Sequence, residues 1–269
     1  MDEDFRDEMH KELARIPLGI APRFDLACVG TSLTGLGAFS FDALACLLSA
    51  EVVYCYPPTP KHFELMQQIN KNAINVHETL YVRGSDFDPT YNAIVDEVMR
   101  TVRNGKKVAY AVQGSPAFHC GTAIRLHRIA KREGFSSVLI SGISSFELLS
   151  AELSVRYDIG SIQLYSIVKL MKGTLAIDVR VPCLLFDVGR YALPAVRETA
   201  NAFLPSNLAA LAERLSSIYS PDHEIFLMFV HYDGCRTFKT NPADLANALT
   251  NFTPGVTIFL PPMQPRASE

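Results

Sequence analysis

Short apolar runs and amphipathic segments alternate through the first half of the chain. Runs rich in β-branched and aromatic residues, typical of buried strands, occupy residues 26–29, 51–56, 108–112 and 138–140. Between and after them, apolar residues recur at helical spacing over residues 39–48, 60–69, 88–104, 122–133 and 145–153. Residues 74–81 alternate as an edge strand or a loop does. The order of these segments predicts an α/β domain with a mainly parallel sheet.

After residue 160 the apolar runs become shorter. They fall at residues 162–167, 175–177 and 184–188. Helical spacing of apolar residues follows over 194–203 and 208–218. Two further strands are predicted at 225–230 and 256–260. This order predicts a second α/β domain with a mixed sheet. We place the two domains at residues 23–156 and 157–269. Residues 1–22 are predicted to form a helical extension, whose apolar face carries Phe5, Met9, Leu13 and Ile16.

Two strands of the first domain end in glycine–serine turns. The run that ends at Val112 is followed by Gly114-Ser115-Pro116, and the run that ends at Ile140 is followed by Gly142-Ile143-Ser144-Ser145. Ligands of open α/β sheets bind outside the carboxyl ends of the strands. Hydroxyls, backbone N–H groups and a helix N-terminus at such an edge suit a carboxylate, a ribose or a phosphate. We therefore expect a ligand site here, with Ser144 also capping the helix that follows.

Composition narrows the class of protein. The chain is 48% hydrophobic and 20% charged with a net charge of −3, which argues against a nucleic-acid partner. Its apolar runs are shorter than the roughly 18–20 residues that span a bilayer, and its acidic start is unlike a secretion signal. The six cysteines are scattered without a C-x-x-C pair. We expect a cytoplasmic protein without disulfides, metal site or membrane association.

The sequence lacks the motifs of three common kinds of site: a dinucleotide site, a serine nucleophile and a metal site. The spacing of Gly30, Gly35 and Gly37 departs from the G-x-G-x-x-G dinucleotide fingerprint. Neither Ser115 nor Ser144 lies in a G-x-S-x-G nucleophile elbow. The histidines show no H-E-x-x-H or comparable metal spacing. A tyrosine at a strand end, by contrast, can orient a substrate or take a proton, and tyrosines are concentrated in the first domain.

The order of the motifs resembles the tetrapyrrole-methylase-like family of S-adenosylmethionine-dependent methyltransferases. The resemblance rests on Val29-Gly30 entering a glycine-rich loop, on Gly114-Ser115-Pro116 as a G-x-P motif and on Ser141-Gly142-Ile143-Ser144-Ser145, and it covers residues 24–260. Within that family, residues 52–59, 104–108 and 130–134 are most similar to the borosins, which N-methylate the backbone of ribosomally made peptides. The resemblance implies two α/β domains, S-adenosylmethionine in a cleft between them, and a homodimer.

The resemblance also implies site residues. Those expected to bind S-adenosylmethionine are Gln113, Gly114, Ser115, Pro116, Phe118, His119, Ser144, Ser145 and Val188. Tyr81 and Tyr91 match two borosin tyrosines and are expected to be catalytic. The chain departs from the borosins at four positions: Phe87 stands for an arginine, Glu78 and Gln113 for tyrosines, and Ser141 for a proline.

The function implied is an S-adenosylmethionine-dependent methyltransferase that N-methylates the backbone of a separately encoded peptide. The chain ends shortly after Pro261, so the peptide or small-molecule substrate is expected in trans. The departures keep two alternatives open. One is a methylase of a tetrapyrrole-like or other small molecule, and the other is a donor-binding regulatory partner that has lost catalysis.

Overall fold

A computed structural model describes residues 23–31, 39–57, 59–81, 84–157, 160–196, 202–231 and 234–263. The helix predicted within residues 1–22 and most of the glycine-rich loop after Gly30 lie outside these ranges. The described residues form two compact units. The first comprises residues 23–81 and Asp88–Ser145, and the second comprises residues 84–87 and 146–263. The domain boundary expected after residue 156 stays a prediction.

The first unit is built on a parallel sheet in the order β3-β2-β4-β1-β5, as the alternating pattern predicts. The described strands are β1 (Leu26–Thr31), β2 (Val52–Cys55), β3 (Ala73–Asn75), β4 (Val108–Gln113) and β5 (Ser137–Ile140). The helices are α1 (Phe41–Ser49), α2 (Pro60–Ile69), α3 (Val76–Thr79), α4 (Phe87–Arg103) and α5 (Gly121–Arg132). The next helix, α6 (Ser145–Leu153), begins at the last residue of this unit and otherwise belongs to the second unit. The central strands are buried on both faces, which explains their nearly continuous apolar sequence.

Helices cover both faces of this sheet. On one face, Ala27 packs among the buried residues of α1 and α2. On the other face, the Cys28 thiol donates to the Ala123 carbonyl of α5 at 3.5 Å, and the Tyr54 hydroxyl donates to Glu97 of α4 at 3.0 Å. The neighbouring strands β1 and β4 are thus followed by helices on opposite faces, α1 and α5. The carboxyl ends of β1 and β4 therefore form a topological switch point, where such sheets bind ligands.

The segment 74–81 differs from the expected edge strand or loop. Its first residues complete β3, but Val76–Thr79 forms the short helix α3. Asn75 turns the chain, because its side-chain oxygen accepts a hydrogen bond from the His77 N–H at 3.0 Å. The helix is a single turn, too short to give the sequence a helical period.

The second unit is built on a mixed sheet, as predicted, in the order β6-β7-β10-β8-β9. Among the described strands of this second sheet, only β6 and β7 pair in parallel, and the other neighbours are antiparallel. The strands are β6 (Gln163–Ser166), β7 (Cys183–Phe186), β8 (Ile225–His231), β9 (Gly234–Thr240) and β10 (Thr257–Leu260). The helices are α7 (Ile167–Met171), α8 (Val188–Ala192), α9 (Pro205–Ser216) and α10 (Leu245–Leu249).

Three segments of the second unit differ from the sequence pattern. Residues 175–177 form no strand, and the backbone at Asp178 instead bonds to the side chain of Gln163. Strand β9 was not predicted, because it lies at the sheet edge with mostly exposed residues and has no apolar run. The helix expected over 194–203 lies partly outside the described residues, and 194–196 form a turn.

Among the residues that the structure describes, no helix is long and apolar enough to cross a membrane. All six cysteines are free, and four of them are buried: Cys28, Cys46, Cys55 and Cys183. Burial raises the pKa of the Cys46 thiol to about 11 and of the Cys55 and Cys183 thiols to about 12. These thiols are therefore protonated apolar side chains at neutral pH.

Tyr219 supplies a test of the packing of the second unit. Its ring stacks on His223, and its buried hydroxyl has no hydrogen-bond partner among the described residues. Tyr219→Phe removes an unsatisfied polar group and is expected to raise the free energy of unfolding by about 1 kcal/mol. Tyr54→Phe is the matched control, since that hydroxyl bonds to Glu97 and Thr101, and it should lower the same quantity by about 1–2 kcal/mol. Urea unfolding measures both, and an equal loss in the two variants would contradict this account.

Candidate functional site

Three backbone segments meet at glycines where β1, β4 and β5 end. A Cβ atom on Gly30 would lie 2.3 Å from the Gly114 carbonyl oxygen and 2.3 Å from the Gly142 nitrogen. A Cβ atom on Gly142 would lie 2.3 Å from the same Gly114 oxygen. Gly114 itself has a φ of 68°, which disfavours residues with a side chain. We call this contact of Gly30, Gly114 and Gly142 the glycine junction, and it brings the two predicted turns together.

The Gly-Ser-Pro turn is fixed by hydrogen bonds on both sides. The Gly114 N–H donates to the Thr31 carbonyl at the end of β1 at 2.9 Å. The Ala117 N–H donates to the Ser115 hydroxyl at 3.3 Å, and the Phe118 N–H donates to the Ser115 carbonyl at 3.1 Å. Ser115 is 8% exposed, so its hydroxyl acts within a preformed turn. The Ser115 hydroxyl thus accepts a hydrogen bond within the turn itself and helps to hold the backbone of the turn in place.

The remaining residues expected in this region surround the glycine junction. Gln113 is half-buried at the end of β4, opposite Thr31. Ser144 is 3% exposed and directly precedes α6, which begins at Ser145. The rings of Phe118 and His119 contact each other with centroids 4.6 Å apart. The carboxyl edge of the first sheet therefore carries two buried hydroxyls, of Ser115 and Ser144, and two aromatic rings, of Phe118 and His119.

Four aromatic rings form a second group of the first unit, which we call the aromatic cluster: Tyr56, His77, Tyr81 and Tyr91. The ring centroid of Tyr81 lies 5.3 Å from Tyr56, 5.0 Å from His77 and 6.2 Å from Tyr91. Tyr56 follows β2, and its N–H donates to the Ala111 carbonyl of β4 at 3.0 Å. The structure thus unites the two tyrosines expected to be catalytic.

Two members of the aromatic cluster were not among the site residues expected from the sequence. Tyr56 directly follows β2, so its place at the carboxyl edge could have been found from the sequence. His77 could not, because it lies on α3, in the segment expected to be a strand or loop.

The phenols of this region are held in their protonated form. Burial raises the pKa of Tyr81 well above its ordinary value, and the nearby Tyr56 and Tyr91 raise it further. Burial likewise raises the pKa of Tyr110 on β4 and of the Cys120 thiol, and both groups also act on Tyr81. The aromatic cluster therefore lies within electrostatic reach of the residues that follow the Gly-Ser-Pro turn. At neutral pH its tyrosines are hydrogen-bond donors.

Val188 lies in the second unit, away from the strand position expected for it. Strand β7 ends at Phe186, and Asp187 takes a φ of 68°. Val188 then begins α8, and its side chain is fully buried in the apolar core of that unit. Its side chain thus contributes to core packing, and its part in ligand binding stays a prediction.

The structure describes the surroundings of two residues that depart from the borosin pattern, Phe87 and Glu78. Phe87, where the resemblance expects an arginine, packs against the apolar core of the second unit. Glu78, where it expects a tyrosine, is exposed on α3, and its carboxylate raises the pKa of the Cys55 thiol. Among the described residues, no group of three His, Cys, Asp or Glu side chains could hold a metal ion.

Comparison with known proteins gives consistent matches. Residues 25–228 match the family model of the tetrapyrrole (corrin/porphyrin) methylases. The chain is 27% identical over 209 residues to a methyltransferase and ribosomally synthesised precursor of the cyclic peptide dendrothelin A from Dendrothele bispora. That match covers 77% of this chain and 48% of the relative, so the chain spans about half the length of this relative.

Solved structures show the same fold at lower identity. A uroporphyrin-III C-methyltransferase from Thermus thermophilus is 19% identical with a TM-score of 0.61, over 88% of this chain and 94% of that one. Another structure of a Thermus thermophilus uroporphyrin-III C-methyltransferase, complexed with S-adenyl homocysteine, is 15% identical with a TM-score of 0.58. It covers 88% of this chain and 96% of the other.

Proposed function

Since the chain belongs to the tetrapyrrole (corrin/porphyrin) methylase family, we propose that it binds S-adenosylmethionine and transfers its methyl group. The observation that carries the proposal is the glycine junction. It fixes the Gly-Ser-Pro turn and the turn before Ser144 at one switch-point edge of a parallel sheet. The glycine junction thus brings two turns with the buried serines Ser115 and Ser144 to one edge of the sheet.

The side chains at this edge fit the donor. Ribose hydroxyls and the amino-acid end of S-adenosylmethionine need hydrogen-bonding groups, which Gln113, Ser115, Ser144 and the neighbouring N–H groups can supply. When bound, S-adenosylmethionine supplies an electrophilic methyl group on a positively charged sulfur. The ring faces of the aromatic cluster would stabilise that charge by cation–π attraction. We assign the donor to Gln113, Gly114, Ser115, Pro116, Phe118, His119, Ser144 and Ser145 of the first unit.

A peptide backbone is the acceptor we propose. The dendrothelin A relative joins a methyltransferase to its own peptide precursor, which supports an amide acceptor. Tyr81 and Tyr91, as protonated phenols, can donate hydrogen bonds to a peptide carbonyl and hold its amide near the donor. We propose that the peptide reaches this chain in trans.

The transfer assay that tests this function uses S-adenosylmethionine with a labelled methyl group. The protein is incubated with peptides encoded beside its gene and, separately, with uroporphyrinogen III, and each product is weighed by mass spectrometry. A mass gain of one methyl, located on a peptide backbone nitrogen, is the expected result. If only the tetrapyrrole were methylated, the proposed acceptor would be a tetrapyrrole-like molecule and not a peptide. Donor binding without transfer to either would favour a regulatory partner, a possibility raised by Phe87 and Glu78.

We also propose a cytoplasmic homodimer. Homodimers are implied by the family resemblance, and buried free thiols suit a reducing compartment. Light scattering of the purified protein should give twice the mass of one chain, and a monomer at micromolar concentration would contradict the dimer.

A further inference from the structure

His77 contacts two tyrosines of the aromatic cluster. Its ring centroid lies 3.6 Å from that of Tyr56 and 5.0 Å from that of Tyr81, with both pairs edge to face. The side-chain oxygen of Asn75 accepts a hydrogen bond from the backbone N–H of His77 and so positions this residue at the start of α3. Its half-buried imidazole is next to the phenol that we expect to face the acceptor.

The titratable groups around this imidazole come from several elements. Tyr56 follows β2, Tyr81 follows α3 and Tyr91 lies on α4. Tyr110 of β4 and Cys120 before α5 both raise the pKa of Tyr81, and Glu78 follows His77 on α3. The buried phenols and thiols here are protonated at neutral pH, as described above. Histidine is the side chain whose ordinary pKa, about 6.5, suits proton transfer near neutral pH.

A methyl transfer to nitrogen must release a proton. The lone pair of the acceptor nitrogen forms the new N–C bond, and the C–S bond breaks with its electron pair remaining on sulfur. The proton that was on nitrogen must then leave. Borosin-like activation by an arginine is excluded at position 87, where Phe87 packs in an apolar core.

We infer that neutral His77 accepts this proton through the hydroxyl of Tyr81, a role that rests on the proposed methyltransferase function. Tyr81 takes the proton from the acceptor nitrogen while giving its own to the imidazole. The phenol thereby avoids the buried phenolate that its surroundings disfavour. The resulting imidazolium returns its proton to solvent, because the His77 side chain is partly exposed. His77 is thus a positioning and relay residue, and Tyr81 is the group that touches the acceptor.

The test compares His77→Phe with the wild type. Phenylalanine keeps an aromatic ring next to Tyr56, although a slightly larger one, and removes both nitrogens. We expect donor affinity, measured by calorimetry, to stay within about twofold, while kcat falls about 100-fold. The wild type should lose activity as pH falls below the midpoint of His77, and the variant should lack this acid limb. His127→Gln is the control, since that histidine bonds to Ser137 on the far end of β5 and should leave kcat and the pH profile unchanged.

A second measurement needs no donor. The His77 ring protons are titrated by NMR in the free wild type and in Tyr81→Phe. If the Tyr81 hydroxyl donates to the neutral imidazole, as the relay requires, its loss should raise the titration midpoint by about 0.5 pH units. An unchanged midpoint, or a His77→Phe variant that keeps the wild-type kcat and acid limb, would overturn the relay alone. A wild type that binds donor but methylates no acceptor would overturn the methyltransferase function and the relay with it.

Discussion

Gly142→Ala is expected to destabilise the first unit by about 3 kcal/mol or more and to abolish donor binding. The new Cβ atom would lie 2.3 Å from the Gly114 carbonyl oxygen and 2.9 Å from the Gly30 carbonyl carbon. Both are backbone atoms, of Gly30 in β1 and of Gly114 directly after β4, so the ends of these strands would have to move apart. Overpacking of this kind costs several kcal/mol. Urea unfolding and calorimetry with S-adenosylhomocysteine measure the two effects.

Gly121→Ala is the matched control for this prediction. Gly121 is the first residue of α5, and a Cβ atom there meets nothing within 4 Å. Alanine should leave the free energy of unfolding unchanged or raise it by up to about 1 kcal/mol, because it favours the helix. If the Gly142 variant were as stable as this control, the glycine junction would not be as close as the structure shows.

The double variant Tyr81→Phe, Tyr91→Phe is expected to lose methyl transfer while keeping the donor. Both hydroxyls belong to the aromatic cluster, and neither lies in the Gly-Ser-Pro turn or the turn before Ser144. We expect kcat to fall by about 100-fold or more, because the acceptor amide loses its orienting and proton-transferring groups. The dissociation constant for S-adenosylmethionine should change by less than about threefold, since a hydroxyl-free ring keeps its attraction for the sulfonium.

Tyr219→Phe serves as the control for this pair, since it removes a tyrosine hydroxyl from the core of the second unit. Its kcat should equal that of the wild type. If the double variant kept its full turnover, Tyr81 and Tyr91 would not be the acceptor-facing groups, although the donor site would be unaffected.

The sequence predicts most of the first unit because its strands have a simple physical signature. Strands β1 and β4 are buried on both faces, so each is an unbroken apolar run, and amphipathic spacing separates the helices from them. Elements without that signature are missed. Helix α3 is too short to show a period, and β9 is an exposed edge strand without apolar residues in series.

Some features of the candidate site can be predicted from the sequence, and others are found only in the structure. The Gly-Ser-Pro turn and Ser144 are visible in the sequence, because glycine and serine after a strand mark a ligand-binding edge. The approach of Gly30 to Gly142 is not visible, since it depends on β5 pairing with β1 and not with β4. The position of His77 depends on a helix turn set by one Asn75 hydrogen bond. Phe87 shows a departure in the sequence, but its physical reason, an apolar core around the ring, needs the structure.

Amide hydrogen exchange, with and without saturating S-adenosylhomocysteine, tests the central claim most directly. If the donor lies at the carboxyl edge of the first sheet, the amides of residues 113–115, 117–119 and 144–146 should exchange at least about tenfold more slowly in its presence. The amides at the opposite edge, around Glu51 and Lys107, should exchange at the same rate in both samples. Protection confined to other segments, or no protection anywhere at saturating concentrations, would contradict the assignment of the donor to this edge.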